Sequence, residues 1–278
     1  MLRRPFTEEP VSRLAAWSAR FGWFALAVAA LSVIVVRSGF LEIIPSLATF
    51  GAALALAVLA ILCACGAAVT IWRQGLSGIG RAAFGFFVGW ALLAYPMYLG
   101  YRATQLPAIA DVTTSPDNPP RFDVLARLRP RDAVNYPTRN AALQRKAYPS
   151  LTPLQVLSPP KTAYDAAVSI VTKRRWVIVD ARPPAPPARR EGTIEAVARS
   201  PIMGFRDDIA IRVNPIGNGS QIDVRSASRF GYHDFGANAS RIVALLDDID
   251  EAASAAKPEK SEEPEKPKRP GKPQTSNR

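Results

Sequence analysis

Two stretches of this 278-residue chain alternate charged with aliphatic side chains. Asp208 to Asn214 puts Ile209, Ile211 and Val213 on one face of an extended segment, and Gln221 to Ser228 does the same with Ile222 and Val224. Successive side chains of a strand point to opposite faces, so Asp208, Arg212, Asp223 and Arg225 share the other face. Glu195, on a neighbouring strand candidate, can join them. Two chemistries suit this set. One is a solvated outer face laced with cross-strand ion pairs, each worth less than about 1 kcal/mol. The other is a ligand site, in which arginines held by acidic neighbours offer paired donors to a carboxylate, a phosphate or a lipid headgroup.

A second polar set, Ser226, Ser228, Arg229, Asp234, Asn238 and Arg241, runs from a strand end through a glycine-containing turn to a helix start. Gly231 and Gly236 supply positive φ, and Asp234 is placed to cap the helix or to pair with Arg229 or Arg241. Asn238 and Arg241 lie three apart, on one side of that helix. The set reads either as a network fixing the strand-to-helix corner or as a pocket. His233, the one histidine, stands beside Asp234 and near two serines, which raises a Ser/His/Asp hydrolase. Neighbours on an extended segment point opposite ways, and no nucleophile elbow or oxyanion element accompanies them. No catalytic residue is assigned. Phosphate loops, dinucleotide fingerprints and His/Cys metal spacing are missing too, so neither cofactor nor metal is expected. Cys63 and Cys65 fall within an apolar stretch, where they read as small packing residues.

The elements that must position these residues are legible to different degrees. Strands are expected over Trp176 to Arg182, Gly192 to Arg199, Asp208 to Asn214 and Gln221 to Ser228. Between the last two, a two-residue turn at Asn218-Gly219 would set Arg212 opposite Arg225, whereas a four-residue loop would set it opposite Asp223; opposite charges favour the latter. Ser158-Pro159-Pro160 reads as a helix start, with Tyr164, Ala167, Val168 and Val171 on one face to about Lys173. Ile242, Leu245, Leu246 and Ile249 mark a second helix from about Ala237 to Ile249. Weaker helical stretches fall at Asp123 to Leu128 and Asn140 to Arg145. The fold class expected is α+β: a curved antiparallel sheet of about four strands backed by helices, over residues 123–250. Residues 102–122 read as an extended connector and 251–278 as a disordered Pro/Lys/Glu tail.

Ahead of this domain stand three long uncharged stretches, Phe21 to Val36, Ile43 to Trp72 and Ala82 to Tyr101. A bilayer core of about 30 Å takes roughly 20 helical residues, so three transmembrane helices are expected, about 17–37, 44–72 and 82–101, behind an N-terminal segment 1–16. Arg3, Arg4, Arg13, Arg20, Arg73 and Arg81 flank one side and Arg37 the other, which retains the N-terminus in the cytoplasm and delivers the domain to the far side. In a bacterial inner membrane that side is the periplasm. Trp17, Trp23 and Trp72 would mark the inner interface, Tyr95, Tyr98 and Tyr101 the outer one. The net charge of +12 sits mainly at the ends and the membrane borders, which suits lipid headgroups rather than nucleic acid. Gly85-x-x-x-Gly89 is a packing signal within the chain or towards a membrane partner, the former favoured.

Several motifs in order carry a resemblance. Asp111 to Phe122, Ile194-Glu195-Ala196, Phe205 to Asp208, and Asp223 to Arg229 with Gly231, Asp234, Gly236, Asn238, Arg241 and Ile242 resemble the domain-of-unknown-function family numbered 1499, over about Leu106 to Asp250. The resemblance implies the domain's extent and a multi-span bacterial membrane protein, but no reaction. The expected function is a membrane-anchored binding or interaction module of the cell envelope, with the bilayer as a partner and an anionic envelope ligand or a membrane protein as another. The alternatives are an envelope lipid- or polymer-modifying enzyme using Asp or Glu, and a structural partner of another membrane protein.

Overall fold

The computed structural model describes residues 10–39, 43–130, 133–185 and 191–255. Arg3, Arg4, the tail from Lys257 to Arg278 and part of the Pro183 to Pro187 loop lie outside the described residues.

Three helices come first: α1 (Arg13–Ser38), α2 (Ile43–Gln74) and α3 (Ile79–Gln105), each long and apolar enough to cross a membrane. Their packing inverts that of a soluble bundle. The buried side is all small, with Ala15, Ser18, Gly22, Ala25, Ala29 and Ser32 on α1 and Ala53, Ala57, Ala60, Ala64 and Ala67 among those on α2. Trp23, Phe24, Leu31, Leu62 and Phe87 point outwards, each more than 60 % exposed. Such an arrangement suits a surround as apolar as the outward side chains, where close backbone approach rather than burial of bulk holds helices together. Hydroxyls add cross-helix bonds: Ser18 donates to the Ala60 carbonyl at 2.9 Å, and Ser32 and Thr49 lie 3.0 Å apart. Gly85 and Gly89 face inwards, where a Cβ would collide with Ser18 of α1 and with Ala57 and Ile61 of α2, so this pair serves contacts within the chain. A bridge between Val11 and Ser77 closes one end of the bundle, the end that carries Arg13, Arg73 and Arg81. Arg37 and Arg102 lie at the opposite end, against the domain.

The domain is an antiparallel six-stranded sheet with helices. Its strands are β1 (Asp111–Thr113), β2 (Leu154–Val156), β3 (Val177–Arg182), β4 (Gly192–Arg199), β5 (Arg206–Ile216) and β6 (Gly219–Ser228), in the order β1-β6-β5-β4-β3, with β2 also on the free edge of β6. Four strands follow the sequence reading; β1 and β2 are additional, three residues each and too short to show alternation. Arg212 pairs with Asp223, as opposite charges require, but the turn is the two-residue Gly217-Asn218 with positive φ at Gly217, not a four-residue loop. Helix α4 spans Thr138–Ala147, α5 Pro160–Lys173 and α6 Ala237–Ala255. Ser158 does not cap α5; its hydroxyl donates to the Ala253 carbonyl of α6 at 2.9 Å. The core lies on one sheet face, where Ile194, Ile209, Ile211, Ile222 and Val224 meet Ala167, Val171, Ile242, Leu245 and Ile249 of α5 and α6.

The opposite face is not solvated. Residues 114–130 and 133–136, with a 3₁₀ turn at Leu125–Leu128, pass across it, and Phe122 and Leu125 pack on Ala210 and Ala227. Residues 102–122 are therefore no free connector: α3 runs through Gln105, Asp111–Thr113 is an edge strand, and Phe122 is buried.

Candidate functional site

The first polar set lies beneath that covering segment, and all of it is buried. Arg225 grips Asp111 with two bonds, Nε to Oδ1 at 2.9 Å and Nη2 to Oδ2 at 2.7 Å, while its guanidinium carbon sits 4.5 Å from the Phe122 ring centroid. Arg212 donates to Asp223 at 3.1 Å and to the Asn118 carbonyl at 2.8 Å. Asp208 takes Arg129 at 2.7 Å and Arg229 at 2.8 Å. Glu195 accepts the backbone N–H groups of Asp123, Val124 and Leu125 at 2.8, 3.1 and 2.8 Å, capping the 3₁₀ turn. Each charge meets an opposite charge or a backbone dipole, as burial demands. Burial still pushes the Asp111 carboxyl above 3.8, against the pull of Arg225. The donors that would hold a ligand are thus spent on binding the segment to the sheet.

Ser226 and Ser228 project from the other face of β6, so the sheet separates the two polar sets. Asp234 caps α6: its carboxylate accepts the N–H of Gly236 at 2.9 Å and of Asn238 at 2.8 Å. Asn238 receives Ser226 Oγ at 2.7 Å and donates to Ser228 Oγ and the Ala110 carbonyl, both at 3.1 Å. Arg241 donates to Asp207 and to Asn238 Oδ1, whereas Arg229 leaves this set for Asp208. Burial raises the Asp234 carboxyl above 3.8 despite the opposing pull of its two backbone donors. The hydrolase arrangement does not form, because Asp234 serves the helix and His233 Nδ1 accepts the Phe235 N–H at 2.9 Å.

A cleft of about 850 Å³ opens where the second set meets the helices. Leu47, Phe50 and Leu54 of α2 and Tyr95, Tyr98 and Arg102 of α3 form one wall. Loops of the domain form the other, with Ile202, Met203, Phe230, Tyr232 and His233. Gly236 allows the close approach: its φ is +81°, and a Cβ there would meet Arg102 Nη2 at 2.6 Å. Arg102 donates to the Phe235 carbonyl at 3.1 Å and to Tyr98 Oη at 3.2 Å, with no salt bridge among the described residues. Two acids line the cleft, and both are engaged, Asp207 by Arg241 and Asp234 by α6. A smaller, polar hollow of about 370 Å³ lies beside Arg121, Glu195 and Arg212.

The family described as "Protein of unknown function (DUF1499)" matches residues 111–249, half of the chain. The chain belongs to the DUF1499 family. No match was found among curated proteins. The DUF1499 match begins at Asp111, the residue that holds Arg225, and ends within α6, so it takes in both polar sets and leaves out the three apolar helices. Asp111, Arg129 and Asp207 were not among the residues singled out from spacing, since their partners are 114, 79 and 34 positions away. Of the cleft lining, Ser228, Asp234 and the turn residues Gly231, His233 and Gly236 figure in the sequence reading, whereas Leu47, Phe50, Leu54, Arg102, Ile202 and Phe230 do not. The clustering of Phe230, Tyr232, His233 and Phe235 around Gly231 was the available signal, but a run of aromatics in a loop does not say what it faces.

Proposed function

We propose that this DUF1499 protein is a membrane-anchored protein of the cell envelope whose domain acts as a binding module for an amphiphilic ligand at the membrane surface. The N-terminus is cytoplasmic and the domain lies across the membrane, in the periplasm if the membrane is a bacterial inner one. The single observation that carries this reading is the cleft. It is bounded on one side by helices whose outward bulk suits lipid and on the other by apolar loops of the domain. The arginine bias supports the orientation, with Arg13, Arg20, Arg73 and Arg81 flanking the end remote from the domain. The polar networks argue for a binder rather than an enzyme, since every carboxylate among the named residues is held by an arginine or a helix terminus.

Orientation is tested with single cysteines at the exposed positions Gln74 and Asn218, after Cys63 and Cys65 are replaced by alanine. In intact spheroplasts an impermeant thiol reagent labels the Asn218 position and leaves the Gln74 position unlabelled until the membrane is opened. The reverse pattern overturns the assignment, and equal labelling at both overturns the membrane crossing.

A further inference from the structure

We propose that the cleft holds one phospholipid with an anionic headgroup, drawn from the leaflet on the domain's side, with an acyl chain along Leu47, Phe50 and Leu54 and its phosphate at Arg102. This rests on the binding-module reading above and names its ligand. Depth supplies the first argument. Helix α2 has 32 residues and is therefore about 48 Å long, against a hydrocarbon core of about 30 Å. Leu47 to Leu54 lie in its second to fourth turns, so this wall runs from the headgroup layer into the upper acyl layer. A ligand there is supplied from the bilayer. The volume, about 850 Å³, is within the range of about 300–1,000 Å³ of sites that enclose small molecules.

The unspent hydrogen-bonding capacity decides the polar end. His233 Nδ1 accepts the Phe235 N–H, so the neutral ring carries its proton on Nε2, and that nitrogen is buried without a partner. Arg102 Nε is the second buried donor without a partner on a residue lining the cleft. Neither has an acceptor among the described residues, and both are sealed from solvent as the side chains stand, so a ligand oxygen reaches them only with a side-chain shift. The charge points the same way: Arg102 is a cation with no carboxylate beside it among the described residues, while Asp207 and Asp234 are already engaged. An apolar chain ending in an anionic group rich in acceptor oxygens, as a phospholipid phosphate is, meets all of these conditions.

The test uses the full chain in a neutral detergent, stripped of lipid and offered equal amounts of phosphatidylglycerol and phosphatidylcholine, with bound lipid counted by native mass spectrometry. One lipid per chain is expected, with phosphatidylglycerol favoured about tenfold, the factor equivalent to about 1.4 kcal/mol. A Cβ at Gly51, which lines the cleft, would meet nothing within 4 Å, so Gly51→Phe fills the space without a backbone clash and abolishes binding of both lipids. Arg102→Gln keeps one lipid per chain but loses the preference, and Arg102→Lys retains it. Equal uptake of the two lipids, or a preference that survives Arg102→Gln, overturns the headgroup assignment while leaving an amphiphile site. Unchanged binding by Gly51→Phe removes the cleft as the site, and the binding-module reading with it. A dimer that Gly51→Phe dissociates identifies a second copy as the occupant and overturns the lipid.

Discussion

Arg225 is 2 % exposed, yet it carries a full charge, and only the geometry around it makes that tolerable. Its donors reach both oxygens of Asp111 and the carbonyls of Val134 and Pro120, and its plane lies over Phe122. A buried pair contributes little net stability, because desolvation of both ions offsets their attraction, but removing one partner leaves the other uncompensated. Arg225→Met should therefore destabilise the fold by about 3–5 kcal/mol at neutral pH, read by urea unfolding of the full chain in detergent. The deficit is pH-dependent, with a definite sign. Asp111 has its folded pKa raised above 3.8, and loss of Arg225 removes the two largest effects that lower it, leaving the weaker pull of Arg129. A carboxyl with a raised folded pKa contributes stability that is fully present below its unfolded value and is lost as pH rises through the folded one. The variant should thus approach the wild type in acid and fall away from it as pH rises. A deficit that does not vary with pH would show that Asp111 is not the group left behind.

Elements meet where small residues let backbones touch. Gly85 and Gly89 are where α3 approaches α1 and α2, and a side chain at either position meets backbone atoms that cannot rotate aside. Gly85→Leu and Gly89→Leu should each cost at least the upper part of the usual overpacking range, about 3 kcal/mol, and lower the melting temperature in detergent. Gly100→Leu, further along the same helix, has no neighbour within 4 Å of a Cβ and should leave melting unchanged. Equal tolerance at Gly85 and Gly100 would refute the three-helix packing. In the domain, the lattice of β4, β5 and β6 sets the alternation, and residues 114–130 and 133–136 then cover the face that alternation leaves polar. That segment is held by charge as much as by apolar contact, through Glu195, Arg212, Arg225 and Asp208.

At the scale of the molecule, the domain is seated on the helix ends by two arginines. Arg37 donates to the Pro201 carbonyl at 2.6 Å and Arg102 to the Phe235 carbonyl at 3.1 Å. These bonds bring the two walls of the cleft together. Spin labels at the exposed Thr104 and Asn218 should give one narrow distance distribution in the wild type and a broad one after Arg37→Ala and Arg102→Ala together. An unchanged distribution would mean that the short 106–110 connection alone fixes the domain. The consequence for binding is direct, because a cleft with one wall on each unit exists only while the two are docked.

By itself the sequence determined what depends on local pattern. Three uncharged stretches became three long helices, and four alternating or β-rich runs became four strands. The opposite charges of Arg212 and Asp223 chose their pairing, and Asp234, two residues before Gly236, became the cap of α6. Each of these is a period or a short-range bond, carried by residues close in the chain or directly opposite across a hairpin. Tertiary structure alone decided what lies over a face. The alternation of β5 and β6 told which side chains share a side but not whether water or protein covers them. Asp111 and Arg129, brought from more than 75 positions away, turned an expected surface into a buried network. The cleft depended even more on assembly: its walls come from residues 47–54, 95–102 and 200–240, and no periodicity links them. Distance in sequence erases such a site from the pattern, because its residues need no common spacing to meet in space.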